Sequence, residues 1–96
     1  MAFFALAYEY GPDYLEKRGP HTEGHMGHLK AAEARGEVVF AGAAMEAGVP
    51  FGFVVFQVDD IARVENYAKT DPYVVGGVTK SWKARPWYGL VGPGAP

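Results

Sequence analysis

The chain reads as a small α+β domain, and three observations predict it. Residues 2–9, Ala-Phe-Phe-Ala-Leu-Ala-Tyr-Glu, place Phe3, Ala5 and Ala7 on one alternating face and Phe4, Leu6 and Tyr8 on the other. A strand apolar on both faces is covered on both sides. Two more β-prone runs, 38–43 and 52–58, are parted by a turn-rich stretch and form a hairpin. Helical spacing occupies both long gaps between strands, which gives the order β-α-β-β-α-β.

Taken in order, Gly11-Pro12-Asp13 ends the first strand in a turn, and Tyr14 to Arg18 form a short helical turn before Gly19-Pro20 breaks the chain. A helix is predicted from about His21 to Arg35. Along it His21, His25, His28, Leu29 and Ala32 recur at spacings of three and four and share a face. Gly36 follows as its C-terminal stop, with the Arg35 charge suited to that end. Met45 to Pro50 is the hairpin loop. Asp59-Asp60 offers an N-cap to a second helix reaching about Thr70, with Ile61, Val64, Tyr67 and Ala68 as its buried stripe. Asp71-Pro72 ends it. From Val78 to Trp87 the chain is extended, Val78, Trp82 and Ala84 alternating with Thr79, Ser81, Lys83 and Arg85.

This order predicts a ferredoxin-like domain over residues 1–88: an antiparallel four-stranded sheet in the order 4-1-3-2, with two helices on one face. Residues 89–96, with three Gly and two Pro, make a flexible tail. The element order alone puts the end of the first strand, the start of the first helix, the hairpin loop and the end of the second helix at one end of the domain. His25 and Asp71 meet there. The other sheet face is left bare although its strands are apolar, so a homodimer through that face is expected.

Composition narrows the function. The 96 residues carry nine basic and eleven acidic side chains, net −2, with no basic stripe, so nucleic acid is not the expected partner. Nor do the central strands carry the aromatic and glycine run with which RNA-binding sheets stack bases. The opening Met-Ala-Phe-Phe-Ala-Leu-Ala lacks a basic leader and is too short to span a bilayer, so no membrane association is expected. Absent cysteine removes thiolate metal sites and cysteine nucleophiles and fits a cytoplasmic protein. Imidazoles spaced i, i+4 along His21/His25/His28 can chelate zinc, but no third-ligand motif accompanies them, and no metal or other cofactor is expected.

The chemistry-bearing pair is His25 with the Asp of Asp71-Pro72-Tyr73-Val74. A carboxylate beside an imidazole fixes its tautomer and stabilises its charged form, so the pair can take and give protons near neutral pH. A purely structural hydrogen bond is the competing account. Tyr73, Trp82 and Trp87 suit either an aromatic pocket or core and dimer contacts.

At these residues the sequence resembles the YCII family (YciI-like proteins). The resemblance is carried by Leu15-Glu16-Lys17-Arg18, His25-Met26-Gly27-His28-Leu29, Gly36 to Gly42, Asp71-Pro72-Tyr73-Val74 and Trp82-Lys83-Ala84-Arg85-Pro86-Trp87. It implies a dimeric ferredoxin-like fold and a catalytic pair falling on His25 and Asp71. Many members carry an Arg three residues before that His. Thr22 stands there in this chain, and Arg18 is expected to serve instead. Substrate contacts are assigned to Arg18, His28 and Tyr73. One branch resembles enzymes that remove chloride from chlorinated hydroxyquinols. The expected function is a small cofactor-independent enzyme of lyase or isomerase type, performing proton transfer, isomerisation or elimination on a small organic substrate. The alternative is a non-catalytic dimeric module binding a small molecule or anion.

Overall fold

The structure, a computed structural model, describes residues 2–45, 50–92 and 95. Four antiparallel strands, β1 (Ala2–Tyr10), β2 (Val38–Ala44), β3 (Phe51–Val58) and β4 (Thr79–Pro86), form one sheet in the order β2-β3-β1-β4. This is the predicted order. Most of the hairpin loop, 46–49, and tail positions 93, 94 and 96 lie outside the described residues.

Among the described residues there are four helices rather than two: α1 (Tyr14–Lys17), α2 (Gly19–Ala34), α3 (Ile61–Thr70) and α4 (Pro72–Val75). The long pair, α2 and α3, corresponds to the predicted helices. Gly19-Pro20 does not delay α2, as the sequence reading expects. It opens it, because proline in a first turn forfeits an N–H that has no helical partner there. At the other end Gly36 takes φ 78°, the left-handed stop that a residue without Cβ adopts freely. Asp60 caps α3, its carboxylate accepting from the Ala62 N–H at 2.9 Å. The four-residue α4 was not foreseen. Asp71 closes α3 and at once caps the next turn.

Strand register sorts the two sheet faces, since directly paired residues share a side. Phe4, Leu6 and Tyr8 of β1 lie with Val54, Phe56 and Val58 of β3, and α2 and α3 cover them with Leu29, Ala32, Val64, Tyr67 and Ala68. That layer is the core. The reverse face presents Phe3, Ala5 and Ala7, flanked by Phe53 and Val55 on one side and by Lys83 and Arg85 on the other. A register shift between Val38 and Phe40 turns Phe40 onto the same face, opposite Val55. Among the described residues no helix lies over it. Trp87 reaches in from the end of β4, its ring T-shaped against Phe53 at 5.8 Å.

Leu6 is fully buried at the centre of the core layer. Truncating Leu6→Ala is expected to cost roughly 2–5 kcal/mol by urea denaturation. Leu15, 66% exposed on α1, should tolerate the same change within about 0.5 kcal/mol.

Candidate active site

The site is organised around one buried carboxylate. The residue before a proline avoids helical backbone, so α3 stops at Asp71, which turns extended at φ −68°, ψ 126°. Its side chain folds back to accept the Tyr73 N–H at 2.9 Å, capping α4. Tyr8, on β1, donates its hydroxyl to Oδ2 at 2.7 Å. From α2, His25 Nδ1 lies 2.9 Å from Oδ1 and 3.0 Å from Oδ2. Asp71 is wholly shielded from solvent, while the His25 side chain keeps 13% exposure.

Close approach of α2 depends on Gly24. A Cβ at that position would sit 3.0 Å from Pro72 Cγ, tighter than side chains normally tolerate. The residue next to the imidazole therefore lets the helix meet the Asp-Pro turn, which brings the ring within reach of the carboxylate.

Burial pushes the Asp71 carboxyl upward, but the His25 hydrogen bond, the Tyr73 N–H, the His25 charge and the Tyr8 hydroxyl together outweigh it and hold Asp71 below the usual carboxylate range. An ionised carboxylate only accepts, so in the neutral ring Nδ1 carries the proton and Nε2 presents its lone pair. Nε2 has no hydrogen-bond partner among the described residues. Burial, reinforced by the charge of Asp71, raises Tyr8 far above the ordinary tyrosine range and keeps it a donor.

A cleft of about 300 Å³ opens beside His25. Tyr8, Tyr10, Tyr14 and Tyr73 line it, with Arg18 at its edge and Ala41, Gly42 and Gly52 of the hairpin strands opposite. Tyr73 lies flat on the imidazole, with ring centroids 3.8 Å apart and planes 2° apart. Thr22 Oγ1 donates to the Arg18 carbonyl at 2.8 Å and lies 2.9 Å from the Tyr73 hydroxyl. Arg18 holds its guanidinium over the Tyr14 ring, 5.4 Å from the centroid.

Of the site residues read from sequence, His25, Asp71, Arg18 and Tyr73 converge here. His28 does not. Three residues after His25 is about 300° of helix, so its ring is turned toward α3. There its Nε2 lies 2.9 Å from the Tyr67 carbonyl and the ring stacks on Tyr67 at 4.2 Å. His21 packs instead against the backbone at Gly76. Among the described residues no three His, Asp or Glu side chains converge as a metal-ligand set. Tyr8 was missed by the sequence reading. The available signal was a hydroxyl on the same strand face as Phe4 and Leu6, which must find a partner once buried.

Because its folded value is depressed, Asp71 contributes stability that is present above its unfolded value of about 3.9 and lost as pH falls through the folded value. Asp71→Asn is therefore expected to cost about 3 kcal/mol near pH 7, and the gap to wild type should close below about pH 4. Urea denaturation at stepped pH checks this. A gap independent of pH would rule it out.

No curated protein matches the chain in sequence. Among solved structures it is similar to the 5-chloro-2-hydroxyhydroquinone dehydrochlorinase (TftG) from Burkholderia phenoliruptrix AC1100, solved in complex with 2,5-dihydroxybenzoquinone. The TM-score is 0.77 at 17% identity, over 88% of this chain and 92% of that one, which is a likeness of fold. The family model described as the YCII-related domain matches residues 1–88, and the chain belongs to that family.

Proposed function

We propose that this protein is a small acid–base enzyme in which His25 moves a proton at an organic substrate seated in the tyrosine-lined cleft. The observation that carries the reading is the imidazole itself. Nδ1 rests on a fully buried carboxylate, and the remaining nitrogen, without a protein partner among the described residues, belongs to a ring lining a cleft of about 300 Å³. Asp71 sets the tautomer and faces the positive charge formed when Nε2 takes up a proton. Tyr73 backs the ring from one side and contacts substrate through its hydroxyl. Arg18 supplies a positive charge to a phenolate or other anionic oxygen.

Elimination is the reaction favoured. The structurally similar protein is by name a dehydrochlorinase of a chlorinated hydroxyquinol. In such a reaction a hydroxyl proton is first moved to the carbon that bears chlorine, giving a keto tautomer; the base then takes the proton of a second ring hydroxyl, its electrons feed through the ring, and chloride departs with the C–Cl electron pair to leave the hydroxyquinone. Incubating the protein with 5-chloro-2-hydroxyhydroquinone should release chloride and produce a hydroxylated quinone absorbance. In folded protein, His25→Ala is expected to lower kcat at least about a hundredfold, with stability reduced because Asp71 loses a donor. Saturable binding without turnover of this or related hydroxylated rings would sink the enzyme reading in favour of a binding module.

The same reading includes a homodimer of ferredoxin-like protomers, joined through the sheet face opposite the helices. Phe40 and Phe51 stand 46% and 44% exposed on that face, beside the apolar centre formed by Ala5 and Val55. Light scattering at micromolar concentration should give twice the 10.4 kDa chain mass. Phe40→Glu should yield monomer. A wild-type chain that stays monomeric would refute the assembly.

A further inference from the structure

The helix layer opens a second time, between α2 and α3. A cleft of about 380 Å³ lies there, floored by Phe56 and Val58 of β3 and by the Tyr67 ring. It shares no lining residue with the His25 cleft. His28, the histidine that turned away from Asp71, lines its wall.

The mouth of this cleft carries an unbalanced charge. Glu37, at the head of β2, receives Arg35 Nε on Oε1 at 2.8 Å. Its other oxygen receives Arg63, through Nε at 3.1 Å and through a closer Nη2 contact. Two guanidinium groups thus share one carboxylate, leaving a net charge of +1. Each guanidinium has five N–H donors. Those not spent on Glu37 have no acceptor among the described residues. Glu37 is only 16% exposed, whereas Arg35 and Arg63 remain 52% and 60% exposed, so the anchoring carboxylate is covered and the cations reach solvent. The Arg35 hydrogen bond, against the cost of burial and with help from Arg63, holds Glu37 below the ordinary carboxylate range and keeps it ionised.

We propose that this inter-helix cleft is a second binding site, one that takes a small carboxylate monoanion with a flat apolar body. One surplus positive charge suits a monoanion. The planar guanidinium forks match a carboxylate in two-point geometry. Phe56, Val58 and the Tyr67 ring take the apolar part, and the volume falls within the range of small-ligand sites. The inference is independent of the chemistry assigned to His25.

Benzoate is the probe, with benzamide as its neutral counterpart, in an amide-resolved NMR titration of the full chain. Benzoate should give saturable shifts at Arg35, Glu37, Asn66 and Tyr67 with a Kd of roughly 1–10 mM, and benzamide should bind about tenfold more weakly. Arg63→Gln should weaken benzoate about tenfold. Glu37→Gln frees both guanidinium groups from their internal carboxylate and should tighten benzoate several-fold. A salt bridge with only a structural role predicts the opposite or no change. Should Glu37→Gln fail to fold, Arg35→Gln joins Arg63→Gln, and each must weaken benzoate while leaving benzamide unaffected. Shifts confined to the His25 cleft, equal affinity for the two probes, or a folded Glu37→Gln that binds no tighter would overturn the site.

Discussion

A carboxylate removed from water is the constraint on which the rest of this molecule depends. An unpaired charge in that position is prohibitively expensive, so Asp71 must be met by donors. They come from three parts of the chain: the backbone of α4, the hydroxyl of Tyr8 on β1 and the ring of His25 on α2. Each donor is carried by an element that the demand helps to position. The Asp-Pro turn closes one helix and caps the next, β1 is tied to the turn by a side chain from its own core face, and α2 is drawn in until Gly24 meets Pro72. Fold and candidate chemistry are one network here. That is why a change at Asp71 is expected to register in stability as well as in any activity.

The first long helix gains little from an apolar stripe. Of its sixteen residues only Ala32 is fully buried, whereas the shorter α3 buries Val64, Tyr67 and Ala68. α2 is held instead by specific contacts: His21 against Gly76, His25 on Asp71 and His28 on Tyr67. A helix held this way does not seal the layer, and it leaves a cleft on each side. One is lined by tyrosines and looks onto an imidazole. The other is apolar at its floor and cationic at its mouth.

Much of this was legible in the chain because it is local. Two-sided apolar alternation in 2–9, the β-branched run in 52–58 and the Asp60 cap are written in residue order, and topology then follows from how few ways such elements connect. The meeting of His25 with Asp71 follows from that topology as well, since element order brings the start of one helix and the end of the other to the same end of the sheet. Boundaries were less legible where one residue type has two uses. Pro20 ends one helical turn or opens the next helix, and only the packing of α2 decides between them.

What sequence determined by itself, then, is the class of fold, the strand order and the identity of the two groups that face each other at its end. Tertiary structure decided the rest. An offset of about 60° around α2 turned His28 toward α3 although it shares a broad face with His25. The burial of β1 turned the Tyr8 hydroxyl from one more aromatic position into a donor for Asp71. The convergence of the residue before β2 with the C-terminus of α2 and the first turn of α3 set Arg35 and Arg63 on one Glu37. In each case the cause is a distance between residues tens of positions apart. Periodicity along a chain reports which side of its own element a residue occupies, not what the other elements will place there.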